Sequence, residues 1–185
     1  ESDLNDAFDI KYFKEKGSHQ RPFNLRKKEE YDRPKIILRQ SDIKFTATYS
    51  EELMFGNYSL FNIYSYENNK AFLKYLLGLL NSKLLSYYGV QREIILIKPG
   101  KTPQIRSGQR GPLGIRQLPI KIATEKEQES FVKLVDKILS LTQSDNYLQS
   151  LTKQAKVKEY EKEIDQMVYA LYGLTPEEIA IVEGK

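Results

Sequence analysis

Lys70-Ala71-Phe72-Leu73-Lys74-Tyr75-Leu76-Leu77-Gly78-Leu79-Leu80-Asn81-Ser82-Lys83-Leu84-Leu85-Ser86-Tyr87-Tyr88 is the stretch that decides the fold class. Phe72, Leu76, Leu79, Leu80, Leu84 and Tyr87 recur at helical spacing, which predicts one helix over 70–88 with an apolar stripe. Asn68 or Asn69 can cap its start, and Gly89 can end it as a left-handed cap. Working outward toward the N-terminus, the pattern changes to strands. Pro34 opens Lys35-Ile36-Ile37-Leu38-Arg39-Gln40, an apolar run of strand length. Phe45, Ala47 and Tyr49 alternate with Thr46 and Thr48. After a turn signal at Gly56-Asn57, residues Tyr58 to Tyr66 put Leu60, Asn62 and Tyr64 on one face and Phe61 and Ile63 on the other. On the C-terminal side, Ile94-Ile95-Leu96-Ile97 reads as a strand. A Gly/Pro-punctuated stretch from Lys98 to Gly114 follows as a loop with one short strand, and Ile115 to Ile122 is expected as the closing strand of the body.

The remainder reads as helices. Thr124 and Glu127 form a capping box ahead of the stripe Phe131, Leu134, Val135, Ile138 and Leu141. A second helix is expected from about Asp145 to Tyr172, with Leu148, Leu151, Tyr160, Ile164, Met167, Val168 and Leu171 turned inward and Gly173 ending it. Thr175-Pro176-Glu177-Glu178 carries the signals of one more helix start. The expected class is α+β: a mixed, mostly antiparallel sheet with packed helices, followed by an antiparallel helical pair. The expected division is an irregular arm over 1–33, pinned by Phe13 and Phe23, a body over 34–123 and a helical region over 124–185.

Composition narrows the function. At 185 residues and 40% hydrophobic content, the chain can bury a real core. No apolar run approaches the roughly 18 residues of a membrane span, so no membrane partner is expected. Glu1 to Asp9 are acidic and polar, unlike a secretory leader, and the absence of cysteine fits a cytoplasmic protein. The chain starts at Glu1 rather than Met and reads as a piece of a longer polypeptide. The net charge of +4 hides a split: 21 bases and 13 acids precede Thr124, whereas 8 bases and 12 acids follow from it. A basic body with an acidic tail suggests that the body alone faces a polyanion.

Residues suited to catalysis are scarce. His19 is the one histidine and reads as a surface residue of the arm. No Cys/His cluster can hold zinc, and neither Gly-x-Gly-x-x-Gly nor a phosphate loop occurs. Gly108, Gly111 and Gly114 are spaced by three, but Pro112 and the lack of a following helix argue against a nucleotide cradle. Glu29-Glu30 and Glu51-Glu52 are neighbours in sequence only. The informative stretch is Gln91 to Arg116: Arg92, Lys98, Lys101, Arg106, Arg110 and Arg116 against the single acid Glu93, interleaved with Gln91, Gln104 and Gln109 and followed by Gln117. Lys and Arg neutralise phosphates. Arg forks onto guanine and Gln onto adenine in the major groove. The competing reading is an exposed loop with ordinary basic residues. Arg39-Gln40, at the end of the first strand, is a second candidate, equally readable as surface. Tyr58, Tyr64 and Tyr66 could stack on bases, although half-buried strand packing is the favoured reading.

Three strings in order, Leu80-Asn81-Ser82-Lys83-Leu84-Leu85 with Tyr87-Tyr88, Gly100-Lys101-Thr102-Pro103-Gln104-Ile105-Arg106, and Gln117-Leu118-Pro119-Ile120, resemble the TaqI-like C-terminal specificity domain. That domain occurs in N6-adenine DNA methyltransferases and fused restriction–methylation enzymes. Pro34 to Gln40 with Ala47-Thr48-Tyr49 is similar to its start. Phe131 to Leu139 and Ile164 to Thr175 with Glu178 resemble the sequel in such enzymes, so the resemblance runs from about Pro34 to Glu183. It implies recognition of a short site in double-stranded DNA. It also implies an upstream methyltransferase domain of the same polypeptide that binds S-adenosylmethionine; no cofactor site and no catalytic residue is expected in this chain. Arg106, Gln104 and Arg39 are expected on bases and Lys98, Lys101 and Arg110 on phosphates, with Gln40 and Arg92 completing the set. The alternative is a protein-interaction or oligomerisation module without base readout.

Overall fold

A computed structural model describes residues 31–53, 59–108 and 114–185. Strand β1 (Lys35–Arg39) is central in a three-stranded antiparallel sheet between β2 (Ala47–Ser50) and β3 (Leu60–Tyr64). In register, Ile36 faces Tyr49 and Ile63, and Arg39 faces Leu60. Helices α1 (Lys70–Leu80) and α2 (Lys83–Gln91) follow. Next comes a two-stranded antiparallel ribbon of β4 (Ile95–Leu96) and β5 (Gln104–Ile105). The chain ends in α3 (Glu125–Thr142), α4 (Leu151–Tyr172) and α5 (Pro176–Glu183). The class is α+β. Phe13, Phe23, His19, the Gly56-Asn57 turn and Tyr58 lie outside the described residues.

Helix α1 is the middle layer, packed on the sheet through one side and on α3 through the other. For that reason the single stripe expected from sequence is too narrow. Leu73, Tyr75 and Leu77 are buried with Leu79 and Leu80, while Phe72 and Leu76 are only partly covered. The Tyr75 ring meets Phe131 of α3 edge-on at 5.3 Å, and its hydroxyl donates to the Lys121 carbonyl at 2.6 Å. Outside this contact, Lys74 and Asp136 pair at 2.6 Å. One continuous buried cluster runs from Ile36 and Leu38 through Leu73 and Leu79 to Phe131, Ile164 and Val168.

The helix expected over 70–88 is two helices, and the physical reason is hydrogen bonding at Asn81-Ser82. The Ser82 hydroxyl donates to the Leu79 carbonyl at 2.6 Å and accepts from the Leu85 N–H at 3.3 Å, so one side chain ends α1 and caps α2. The Asn81 side-chain amide accepts from the Ala47 N–H (2.8 Å) and donates to the Ala47 carbonyl (3.0 Å). It thereby satisfies the outward-facing groups of Ala47 on edge strand β2 as another strand would. The Lys83 N–H, the next orphan donor, is taken by the Asp165 carboxylate of α4 at 2.8 Å. Burial pushes the Asp165 carboxyl up, opposed by that N–H and by the Lys83 ammonium.

Gly89 does not end a helix. It lies inside α2, where a Cβ would stand 2.8 Å from the Phe45 ring and 3.1 Å from Ile95. The chain leaves α2 at Arg92, and Glu93 takes the left-handed conformation (φ 53°). The strand expected over 94–97 is limited to two residues. In place of a closing strand over 115–122 there is a 3-10 turn at Ile115–Gln117 and then chain without strand pairing.

In the tail both capping boxes form, at Thr124/Glu127 and Thr175/Glu178, and Gly173 ends α4 at φ 72°. Asn69 is the cap of α1, its side chain accepting from the Phe72 N–H at 2.9 Å. Helices α3 and α4 pack antiparallel: the Lys137 ammonium stands 5.2 Å over Tyr160, while near the other end Glu127 and Ser130 line a groove with Ala170 and Leu171. The start of the second helix differs from expectation. A 3-10 turn at Tyr147–Gln149 precedes α4, and Leu148 and Leu151 are 80% and 81% exposed, because they lie at the connection between α3 and α4, outside the buried cluster. Val157 and Tyr169 are buried instead.

Gly89→Ala forces a methyl into the fixed, 1% exposed Phe45 ring and should cost about 1–3 kcal/mol in denaturant titration. Gly78→Ala meets Phe131 and Val135 at ordinary contact, 3.4 Å, and should be close to neutral. Burial raises the phenols of Tyr49, Tyr75 and Tyr169, the last two to about 12. Above about pH 10 an unfolded tyrosine ionises while these stay protonated, so the folded state holds more protons and stability falls as pH rises through that window. Denaturation midpoints between pH 9 and about 12 check this, and Tyr169→Phe, whose hydroxyl has no hydrogen-bond partner among the described residues, should flatten the fall without loss at pH 7.

Candidate nucleic-acid interface

The β4–β5 ribbon turns through Lys98-Pro99-Gly100-Lys101. The Lys101 N–H donates to the Lys98 carbonyl at 3.1 Å, and Gly100 has φ 67°. Proline then glycine at the two central positions is the type II pattern, which needs a positive φ at the second. The turn leaves Lys98 and Lys101 exposed at the ribbon tip. On the returning strand Gln104 is exposed, Ile105 is buried at 1%, and Arg106 is half-buried. The period of two thus anchors the ribbon through Ile105 and leaves its polar neighbours outside.

One long-range hydrogen bond joins this ribbon to the main sheet. The Ile105 N–H donates to the Gln40 carbonyl at 2.7 Å, immediately past the end of β1. The flanking bonds are Gln40 N–H to the Ser59 carbonyl (2.8 Å), Arg106 N–H to the Ile94 carbonyl (2.9 Å) and Ile115 N–H to the Arg106 carbonyl (2.9 Å). Arg39, Gln40, Gln104 and Arg106, far apart in sequence, are therefore carried on contiguous backbone. The Arg39 side chain is 61% exposed and pairs with Asp42 at 3.3 Å. Arg92 is exposed at the end of α2, one residue before the strained Glu93 and two before Ile94, whose carbonyl holds Arg106. Arg116 and Gln117 are exposed on the 3-10 turn that follows. Arg110 lies outside the described residues.

Behind Arg106 the loop is closed by a bridge between Ser107 and Gly114. A Cβ on Gly114 would fall 2.2 Å from the Gly108 nitrogen, so only glycine permits this backbone approach. Gly108 and Gly114, two of the three glycines spaced by three, thus serve a close approach of chain segments, and Gly111 lies outside the described residues.

The tyrosines separate. Tyr64 is half-buried and carries the Arg33 guanidinium 5.4 Å from its ring centre, as strand packing predicts. Tyr66 is fully exposed, beside an open groove lined by Tyr64, Asn69 and Phe72. That groove sits at the opposite end of the sheet, because Tyr64 pairs with Lys35 whereas Arg39 pairs with Leu60. Asp42 is the residue of this region that sequence reasoning missed; an acid three residues after Arg39, in a polar turn, is the available signal.

No group of His, Cys, Asp and Glu among the described residues could hold a metal ion, and no described helix is long and apolar enough to cross a membrane. What the residues build is an α+β domain whose one sheet end presents arginines, lysines and glutamines on a rigid backbone. The model of the TaqI-like C-terminal specificity domain matches residues 7–109, more than half of the chain, and the chain belongs to that family. The match includes Arg39, Gln40, Arg92, Lys98, Lys101, Gln104 and Arg106; it begins earlier than Pro34, within the arm, and does not extend to the helical tail. No curated protein matches the chain. Membership places the chain among domains serving DNA sequence recognition in restriction–modification enzymes.

Gly114→Ala should open the Ser107–Gly114 closure. Amide exchange at Ile115, whose N–H is held by Arg106, should speed up at least tenfold, the equivalent of about 1.4 kcal/mol, while amides of α1 keep their protection.

Proposed function

We propose that the chain reads double-stranded DNA with the sheet end where β1 meets the ribbon, for a site-specific N6-adenine methyltransferase or fused restriction–modification enzyme. Arg39, Gln40, Gln104 and Arg106 are assigned to base edges. Arg92, Lys98 and Lys101, with Arg110 in the neighbouring segment, are assigned to phosphates. The observation that carries this reading is the Gln40–Ile105 hydrogen bond, which joins the two backbone segments that bear these long polar side chains. Readers on rigid strands keep their register on the duplex, and phosphate contacts at the tip set the depth of docking.

S-adenosylmethionine is not assigned to these residues. Two open grooves lie among the described residues, one at Tyr64–Phe72 and one between α3 and α4, and no role is assigned to either. The cofactor and the methylation chemistry are assigned to an upstream domain of the same polypeptide, acting in the cytoplasm. A second reading, association through the helical tail, is favoured by one observation: Leu148 and Leu151 stand exposed together at the hairpin end. Sedimentation at rising concentration, with Leu151→Ser as control, separates self-association from DNA reading.

The main test is a contrast. Arg106→Ala should lose roughly 1–3 kcal/mol of discrimination at one base pair. Lys101→Ala should weaken every duplex alike and reduce the slope of log K against log salt by about one unit. Unchanged site preference in Arg106→Ala would remove that residue from the base-reading set.

A further inference from the structure

Within the basic edge, Asp42 stands out. Its carboxylate is 18% exposed and is held from three directions. Oδ1 accepts from the Ile43 N–H at 2.7 Å, and Oδ2 accepts from the Thr46 hydroxyl at 2.9 Å and from the Arg39 guanidinium at 3.3 Å. The turn carrying it is itself pinned. The Arg39 N–H donates to the Thr46 carbonyl at 3.0 Å, and the Phe45 N–H donates to the Ser86 hydroxyl of α2 at 3.1 Å. The carboxylate is thus fixed by the turn, and Arg39 leans on it.

As a stabilising pair this contact is worth little, since Arg39 is 61% exposed and such pairs contribute about 0–1 kcal/mol. On a surface meant for phosphates an added negative charge is also unfavourable. Its effect on Arg39 is different. A guanidinium has five N–H donors, and a guanine edge uses two. One Nη bond to Asp42 leaves the others free while removing much of the side chain's rotamer freedom. Resting on the proposed reading of duplex DNA, we infer that Asp42 is a specificity-determining positioning residue: it fixes the Arg39 fork toward a single base and repels phosphate from that position.

The test uses the full 185-residue chain. A preferred duplex is selected from a randomised pool at low salt, and affinities are measured for it, for its single-base-pair variants and for a scrambled duplex. Asp42→Asn keeps an acceptor for the Ile43 N–H and a polar group beside Thr46, but puts an NH2 where Arg39 needs an acceptor. Expected is that Arg39→Ala flattens preference at one base pair. Asp42→Asn should lower discrimination at that same pair about 2- to 10-fold, the worth of ordering one long side chain, and tighten binding to the scrambled duplex. The double variant should discriminate no less than Arg39→Ala alone. Thr46→Val, which loosens the carboxylate without changing charge, should weaken discrimination at the same pair by less, with scrambled-duplex affinity unchanged. If Asp42→Asn and Thr46→Val leave intact the preference that Arg39→Ala flattens, or weaken all duplexes equally, the inference falls while the reading of DNA stands. If Arg39→Ala leaves preference unaltered, the inference falls too. A wild-type chain without duplex preference overturns both.

Discussion

Three consecutive residues hold this protein together. At Asn81, Ser82 and Lys83 one helix ends, another begins, the sheet's outer edge is satisfied and the tail is attached. An uninterrupted helix over residues 70–91 would run straight for about 33 Å, at 1.5 Å per residue. It would carry Gly89 and Arg92 away from the sheet. The break instead turns α2 against Phe45 and Ile95, so close that only a glycine fits between. The ribbon bearing Lys98, Lys101 and Gln104 is built on that contact. Asp165 completes the arrangement from 82 residues away by capping the exposed N–H of Lys83. A buried carboxylate is costly unless hydrogen-bonded, and here the orphan donor of a helix start supplies the partner.

The parts of the fold legible in sequence are those fixed by neighbours along the chain. Capping boxes at Thr124 and Thr175 and the left-handed Gly173 depend on residues within four positions, and the structure contains each of them; β2 and β3 form as strands, although the residues of β3 are evenly half-buried rather than alternating. The helix break was illegible because its apolar spacing continues through Asn81-Ser82 without a fault. Two strong side-chain competitors for backbone bonds stood in the middle of a good helical pattern, and only the presence of β2 and α4 decides that they win. Leu148 and Leu151 fail in the opposite way. Their spacing fits the α4 stripe, but they lie where the chain crosses from α3 to α4, outside the buried cluster.

The candidate interface divides along the same line. The Pro99-Gly100 turn and the outward Gln104 could be read locally. That Arg39 and Gln40 join them rests, among the described residues, on a backbone bond across 65 residues, Gln40 to Ile105, which no periodicity encodes. Asp42 was overlooked because an acid in a polar turn usually serves the turn alone. Its bonds to Ile43 and Thr46 do so, and the third bond, to Arg39, appears only once the 39–46 segment is closed.

The charge split of the chain acquires a spatial meaning from the shared core. Because Phe131, Ile164 and Val168 belong to the same buried cluster as Ile36 and Leu38, the acidic helical tail cannot swing freely from the basic body. Salt screens exposed charges beyond about 8 Å at physiological strength, so the acids of the tail act mainly on what comes close to α3 and α4. A shared core that carries opposite charges on different elements therefore keeps the acidic helices and the basic edge in a fixed relation to one another.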